Sequence, residues 1–336
     1  MKPNDSVSVL IPVYRSESTL PVLMQRLAKT LAAMNLEYEV LLINDGSPDR
    51  SWEIICVLAR EYPFVRGINL MRNFGQHNAL LCGVREAQKQ IIVTMDADLQ
   101  NPPEEIPKLV GKLDEGYDVV YGVPQKKQHG IMRSLASWLV RATLKSAMNV
   151  ESAFQGSSFR AFRAHLRDAF DGFQGPSVSL DVLLTWGSVK LCSIPVQHES
   201  RPHGESAYSM RKLLAHCFDV LTGFSARPLH LASLIGFLFT LFGMGVLAYV
   251  IGRYLVLGYS FPGFPFLASI IAIFAGAQLF AIGIIGAYIA RIHFRTMNRP
   301  AYVVRETTEK AEVGRALAAP PSDSEPDGTS QAKALH

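Results

Sequence analysis

Ile91-Ile92-Val93-Thr94-Met95-Asp96-Ala97-Asp98-Leu99-Gln100-Asn101-Pro102-Pro103 is the stretch on which the reading of this chain turns. An apolar run of strand length climbs into two carboxylates spaced i, i+2, and a Pro-Pro break follows. Alternate strand residues share a face, so Asp96 and Asp98 can leave the strand end pointing the same way. In open α/β sheets that end is where ligands bind. Two hard oxygen ligands with Gln100 beside them suit Mg²⁺ or Mn²⁺, and either ion suits a diphosphate. A plainer reading competes, in which Asp98 and Asn101 merely open the next helix, because a lone Asp-x-Asp arises by chance. The flanking sequence has to separate the two.

Upstream, Val7–Val13 reads as a buried strand ended by Pro12, with Tyr14 just beyond. Leu20, Leu23, Leu27, Leu31 and Met34 recur at helical spacing. Tyr38–Ile43 is a second strand opening into Asn44-Asp45-Gly46-Ser47-Pro48-Asp49, and Trp52, Ile55 and Leu58 mark a second helix. Val65–Leu70 is a third strand, followed by Arg72-Asn73-Phe74-Gly75-Gln76-His77 and a helix through Ala79–Ala87. Ile91–Met95 is the fourth strand and Asp118–Gly122 the fifth, with a helix start at Asn101-Pro102-Pro103-Glu104-Glu105 between them. Alternating βα units of this kind predict an α/β domain with a mostly parallel sheet and helices on both faces. No Gly-x-Gly-x-x-Gly follows the first strand and no Walker A motif occurs, which argues against a dinucleotide dehydrogenase or a P-loop NTPase. Phosphates then need another holder, and a metal on Asp96 and Asp98 is the available one. Asp45, at the tip of the second strand, is placed to accept hydrogen bonds from a nucleobase or ribose, or to form an Asx turn with Gly46.

The 336 residues leave room for about two domains. Apolar residues make up 49% and charged ones 18%, and the apolar excess is concentrated toward the C-terminus, which signals membrane rather than a large core. A net charge of +4 with scattered Lys and Arg does not argue for a nucleic-acid partner; anionic lipid or phosphate explains it equally well. Cys56, Cys82, Cys192 and Cys217 form no metal-binding spacing and read as small apolar residues in a reducing compartment. Val7–Val13 is too short for the apolar core of a signal peptide.

Three blocks carry a specific resemblance. Val9-Leu10-Ile11-Pro12-Val13-Tyr14, Asn44-Asp45-Gly46-Ser47 and Asp96-Ala97-Asp98 are similar to glycosyltransferase family 2, whose fold is GT-A. With Arg72–His77, Asp96–Pro107 and Arg201-Pro202-His203-Gly204-Glu205-Ser206-Ala207-Tyr208-Ser209, the chain from roughly Ser6 to Pro300 resembles the polyprenyl-phosphate glycosyltransferases. That group includes dolichol-phosphate mannose synthase and the bacterial undecaprenyl-phosphate sugar transferases. The resemblance implies that Asp96 and Asp98 are catalytic and, with Gln100, bind Mg²⁺ or Mn²⁺ and the diphosphate. It implies nucleotide-sugar contacts from Pro12, Tyr14, Glu17, Asp45, Arg72 and Asp96, and an acceptor-side role for Arg133. Two departures stand out. Arg15-Ser16 replaces the Asn-Glu of relatives, leaving Glu17 one place late, and Phe154 stands where relatives carry an Asp ahead of a Phe-Arg, with Glu151 and Asp181 the carboxylates that could replace it.

A polyprenyl phosphate has its second pKa near ~6 and is a dianion at neutral pH, so it can attack an anomeric carbon without a general base. It needs orientation and charge screening, which arginines provide. In the Arg201–Ser209 loop, Gly204 lets the backbone approach a phosphate, with Arg201, His203 and Ser206 as donors; for His203 a solvated loop histidine is the better reading. Lys126, Lys127 and Arg133 precede an apolar helix over Leu135–Ala147; for Lys126 a solvated face is the better reading.

Residues 209–228 mix Leu213, Leu214, Phe218, Leu221 and Phe224 with Arg211, Lys212 and Arg227, as in a helix lying at a membrane surface. Leu229–Gly252 and Phe264–Ala290 each exceed the about 20 residues that cross a bilayer. Residues 253–263 between them hold one basic residue, Arg253, whereas Arg291, Arg295, Arg299 and Arg305 follow the second span. The positive-inside rule places the catalytic domain, residues 1–208, in the cytoplasm, on what the resemblance makes a bacterial inner membrane crossed twice. Gly283/Ala287 and Gly286/Ala290 are small-residue pairs suited to packing between protomers, and the resemblance implies a homo-oligomer, with a tetramer the candidate. Residues 291–305 form a juxtamembrane segment, and 306–336 read as a disordered polar tail.

The reading is a membrane glycosyltransferase that moves a sugar from a nucleotide-sugar, UDP-linked by preference, onto undecaprenyl phosphate. One rival is a transferase extending a polysaccharide; the missing Gln-x-x-Arg-Trp motif and only two spans lower it. Another is an inactive membrane scaffold or transport partner, favoured by Ser16 and Phe154 and opposed by the intact Asp-x-Asp-x-Gln.

Overall fold

The computed structural model of the chain describes residues 5–124, 157–169, 172–173, 179–188, 190–199, 227–257, 263–297 and 299–308. Five of the eight described strands are the ones the apolar runs predict: β1 (Ser6–Val13), β2 (Glu37–Asn44), β3 (Val65–Leu70), β4 (Ile91–Thr94) and β5 (Val119–Pro124). Three more, β6 (Arg160–Arg163), β7 (Leu191–Val196) and β8 (Val304–Thr307), complete one sheet in the order β7-β5-β6-β4-β1-β2-β3-β8. Strands β1 to β4 pair in parallel, as do β5 and β7, while β6 runs antiparallel between β4 and β5 and β8 runs antiparallel on β3. The expected mostly parallel sheet is therefore present.

Helices α1 (Leu20–Met34), α2 (Ser51–Glu61) and α4 (Ile106–Leu113) cover one face of the sheet, and α3 (Gln76–Glu86) with α5 (Leu180–Gly187) covers the other. Strand alternation sets the layers. Val7, Val9, Ile11 and Val13 of β1 pack with Leu20, Leu23, Leu27 and Leu31 of α1, whereas Leu10 packs with Leu80 and Val84 of α3. A strand buried on both faces reads as a continuous apolar run, which is why β1 to β4 are plain in the sequence. Each such side chain, fully withdrawn from water, contributes ~1.5–3 kcal/mol, so these two layers dominate the stability of the domain.

The sheet order places β4 and β2 on either side of β1, so the parallel strands switch direction of progression at β1. The crevice at their C-terminal ends is the expected ligand position of such a sheet.

Beyond the sheet, α6 (Arg227–Leu257) and α7 (Phe264–Thr296) are long, apolar and exposed to their surroundings; Ala232–Val256 and Ile273–His293 are long and apolar enough to cross a membrane. Both helices outrun the expected limits of Gly252 and Ala290, because hydrogen-bonded turns continue past Arg253 and Arg291 where the uncharged stretches end. The expectation of a disordered tail from residue 306 is corrected for residues 306–308; the rest of that tail lies outside the described residues. Glu306 and Thr307 belong to β8, and Thr308 is buried with its Oγ1 accepting the Gly67 N–H at 3.1 Å. The polar run Val304-Arg305-Glu306-Thr307 gives no apolar signal, yet as an edge strand it needs only backbone partners. The expected helices over Leu135–Ala147 and residues 209–226 lie outside the described residues.

Candidate active site

Four loops meet at the C-terminal ends of the central strands. They enclose a cavity of about 290 Å³ lined by Pro12, Val13, Tyr14 and Ser16 after β1, Asp45 after β2, Asn73, Gly75 and Gln76 after β3, and Asp96, Ala97 and Asp98 after β4. β4 ends at Thr94, two residues before Asp96, so the loop rather than the strand presents the aspartates, and both still reach the same cavity. Leu99 carries the turn with φ 62°, a left-handed conformation costly for leucine, while its side chain is buried in the layer beneath. Gln100 N–H then donates to Asp98 Oδ1 at 3.1 Å.

Asp96 is gripped from two elements. Gln76 Nε2, at the first residue of α3, donates to Oδ1 at 2.6 Å, and Ser158 Oγ, just ahead of β6, donates to Oδ2 at 2.5 Å. Neither donor stands among the residues expected from the sequence. Gln76 lies within the quoted Arg72–His77 block, and Ser158 directly precedes Phe159-Arg160, but only the sheet pairing brings them to Asp96.

Asp45 is buried, with Oδ1 accepting the Phe74 N–H at 2.7 Å and Oδ2 the Gly75 N–H at 2.9 Å. Burial pushes its carboxyl up from the ordinary value, against the pull of those two N–H groups. It therefore shapes the 72–75 loop as well as lining the cavity. Gly46 makes that loop possible: at φ +59° a Cβ would stand 2.3 Å from the Arg72 carbonyl carbon.

Other expected residues are placed less centrally. Tyr14 and Pro12 line the cavity, and Tyr14 is exposed. Glu17 is not among the lining residues; its Oε2 accepts the Arg50 N–H at 3.0 Å at the start of α2, while Ser16, one place earlier, does line the cavity. Arg72 stacks its guanidinium 4.7 Å from the Phe74 ring centroid, outside the lining. The Gln100 carbonyl accepts the Glu199 N–H at 2.8 Å, tying the Asp-x-Asp loop to the segment after β7. Arg26 of α1 reinforces that tie through Glu104 and Glu199, at 2.8 and 2.9 Å. Asp181 pairs with the buried Arg160 of the Phe-Arg pair. Arg133, Glu151, Phe154, Arg201, His203 and Ser206 lie outside the described residues.

Three aspartates line the cavity, and none of its described lining residues is Lys or Arg. Against these described residues a nucleotide diphosphate would meet only like charge, which a divalent cation would offset. Among the described residues no three or more His, Cys, Asp or Glu stand close enough to hold one metal ion together. Two carboxylates suit an ion that completes its shell with water and phosphate oxygens, as Mg²⁺ and Mn²⁺ do; they would not suit a zinc cage. Asp96 and Asp98 thus fit a divalent cation.

The chain is similar to several known proteins. Residues 8–167 match the profile of "Glycosyl transferase family 2". The undecaprenyl-phosphate 4-deoxy-4-formamido-L-arabinose transferase of Enterobacter sp. (strain 638) is 36% identical over 310 residues, covering 91% of this chain and 95% of that one. The protein of that name from Klebsiella pneumoniae subsp. pneumoniae is 36% identical over 313 residues, covering 92% and 96%. Among solved structures, glucosyl-3-phosphoglycerate synthase from Mycobacterium tuberculosis, in complex with Mn²⁺, UDP-glucose and phosphoglyceric acid, overlaps with a TM-score of 0.47 at 18% identity, covering 65% of this chain and 78% of that one.

Proposed function

The chain belongs to glycosyltransferase family 2, and from that premise we propose that it transfers a sugar from a UDP-sugar to a polyprenyl phosphate, undecaprenyl phosphate in a bacterial inner membrane, at the cytoplasmic face. The observation that carries the reading is the joining of two parts in one chain: an acidic, cation-demanding cavity at the sheet's switch point, and two helices long and apolar enough to bring a lipid acceptor beside it. The relatives' names supply the class of acceptor.

In this mechanism Tyr14 and Pro12 form the wall against the nucleoside, and Asp45 fixes the 72–75 loop that closes the opposite side. Asp96 and Asp98 would hold a divalent cation at the diphosphate end, with Gln100 keeping Asp98 in place through its N–H. When bound, Mg²⁺ or Mn²⁺ would supply charge neutralisation on the departing nucleotide diphosphate. The acceptor phosphate is already ionised, so no side chain has to remove a proton from it. Its orientation falls to Arg133, the acceptor-side arginine of the resemblance, and to Arg201 and Ser206 of the loop that precedes the membrane-facing segments. A guanidinium can hold two phosphate oxygens at once, which suits it to a lipid head group.

The test is incubation of the purified protein with undecaprenyl phosphate and a panel of nucleotide-sugars, followed by mass spectrometry of the lipid extract. A lipid-linked monosaccharide made from one UDP-sugar is expected. Sugar appearing only on a polysaccharide primer, or no product with any donor, would overturn the proposal.

A further inference from the structure

The two donors on Asp96 belong to a longer chain of contacts that runs into the protein interior. Behind Ser158, its own carbonyl accepts from Thr94 Oγ1 at 2.6 Å, Thr94 Oγ1 accepts from Arg160 Nε at 3.1 Å, and Arg160 Nη1 pairs with Asp181. Thr94 is fully buried and Arg160 is 1% exposed, so the middle of this relay is shut off from water, while Asp181 at its far end is 21% exposed. Sheet pairing explains the alignment. Thr94 stands opposite Arg160 in the antiparallel β4–β6 ladder, and the same register carried two residues further sets Asp96 opposite Ser158, on the same side.

A buried ion pair does little for net stability compared with apolar side chains of similar volume. What a planar guanidinium does provide is direction, because its donors sit in a fixed fork. Here that direction is passed to the Thr94 hydroxyl, from there to the Ser158 carbonyl, and so to the placement of the Ser158 side chain. A carboxylate with one donor on each oxygen cannot swing between rotamers, yet it keeps lone pairs for a cation.

We propose that Ser158, oriented by the Arg160–Asp181 pair through Thr94 and acting with Gln76, is a positioning residue that holds Asp96 in the rotamer required for the divalent cation and the nucleotide diphosphate. This rests on the donor-site reading above. It also gives Asp181 a place in the machinery: it holds the arginine of Phe159-Arg160 from helix α5, outside the strand that carries it.

Ser158→Ala is the decisive variant, because it keeps the backbone carbonyl that Thr94 uses and removes only the hydroxyl. Asp181→Asn would leave a buried guanidinium without its counter-charge and would damage the fold itself. Calorimetric titration of the detergent-solubilised full chain with UDP, in the presence of Mn²⁺, should give binding about 10- to 100-fold weaker for Ser158→Ala, the usual effect of losing a group that orients a ligating side chain. Ser158→Thr, which restores a hydroxyl, should recover most of that affinity, and the thermal midpoint of Ser158→Ala should match the wild type. Unchanged affinity in Ser158→Ala, or a loss that follows a lowered midpoint and is not rescued by Ser158→Thr, overturns the positioning role while the donor site stands. A wild-type chain that binds no UDP with Mn²⁺ overturns the donor-site reading, and this proposal with it.

Discussion

Asp98 and Gly46 act on the same cavity by different means, one through charge and one through the absence of a side chain. Asp98 lies on the cavity wall with Oδ1 fixed by the Gln100 N–H, so replacing it by Asn keeps shape and polarity and removes only the charge. A bound cation contributes several kcal/mol of charge stabilisation, and each ~1.4 kcal/mol is a decade in rate. Asp98→Asn should therefore lower turnover on the order of a hundredfold or more with an unchanged thermal midpoint, and excess EDTA should do the same to the wild type. Full activity in EDTA would remove the metal from the mechanism. Gly46→Ala tests geometry. A Cβ there would stand 2.5 Å from the Asn73 nitrogen as well as against Arg72, and the left-handed backbone adds about 1–2 kcal/mol for a residue with a Cβ. The 72–75 loop must shift, carrying with it the Phe74 and Gly75 N–H groups that hold Asp45. UDP binding should fall at least ~10-fold, since two charge-assisted bonds are disturbed at ~1.5–3 kcal/mol each, while far-UV circular dichroism stays the same. Wild-type affinity in Gly46→Ala would mean that the loop does not shape the donor site.

Edge strand β8 is the element the sequence hides best, and it has a measurable consequence. It lies antiparallel on β3, where Asn69 Nδ2 donates to Glu306 Oε1 at 2.9 Å and Asn44 Nδ2 donates to Asn69 Oδ1 at 2.8 Å. This ladder of polar side chains ends one residue before Asp45. Thr308 closes it by accepting the buried Gly67 N–H, and Gly67 has no room for a Cβ, which would lie 2.4 Å from Ile55 Cγ2. Thr308→Val keeps the shape but leaves that N–H without its acceptor, at a cost of about 1–3 kcal/mol. The midpoint should drop by several degrees, at ~2–4 °C per kcal/mol for a domain of this size, and Thr308→Ser should fall between the two. A Thr308→Val midpoint equal to the wild type would mean that β8 is not docked. The same strand explains where reading the sequence stops. β1 to β4 are buried on both faces and declare themselves as apolar runs, and Asp96 and Asp98 follow from the strand that ends beside them. β6, Arg-Ala-Phe-Arg, hides because its buried Arg160 is paired with Asp181, 21 residues away in sequence. β8 hides because its partners, the β3 backbone and the Asn69 side chain, are more than two hundred residues distant. Ser158 is hidden for a related reason: a lone serine has no signal until antiparallel register sets it across from Asp96.

At the scale of the whole molecule, that docked strand constrains how the chain can sit in a bilayer. Helix α6 has 31 residues and α7 has 33, or about 46 and 50 Å at 1.5 Å per residue, against a hydrocarbon core of about 30 Å. Each can cross with its basic end, Arg253 in one and Arg291 in the other, held outside the apolar layer. After α7 the chain hydrogen-bonds to β3, which belongs to the sheet that precedes α6 in sequence. A strand cannot pair across a bilayer, so if both helices span, residues 304–307 and the catalytic sheet are on one side and the turn between the helices is on the other. Charge selects which side is which: the flanks outside the pair carry the arginines, and residues 253–263 carry only Arg253. We therefore expect a reporter enzyme that works only outside the cytoplasm to be active when inserted at Tyr259 and silent when fused after His336. Activity at both positions would mean that α7 does not cross. Activity only after His336 would put the acidic cavity on the outer face, away from any cytoplasmic nucleotide-sugar, and the proposed reaction could not run there.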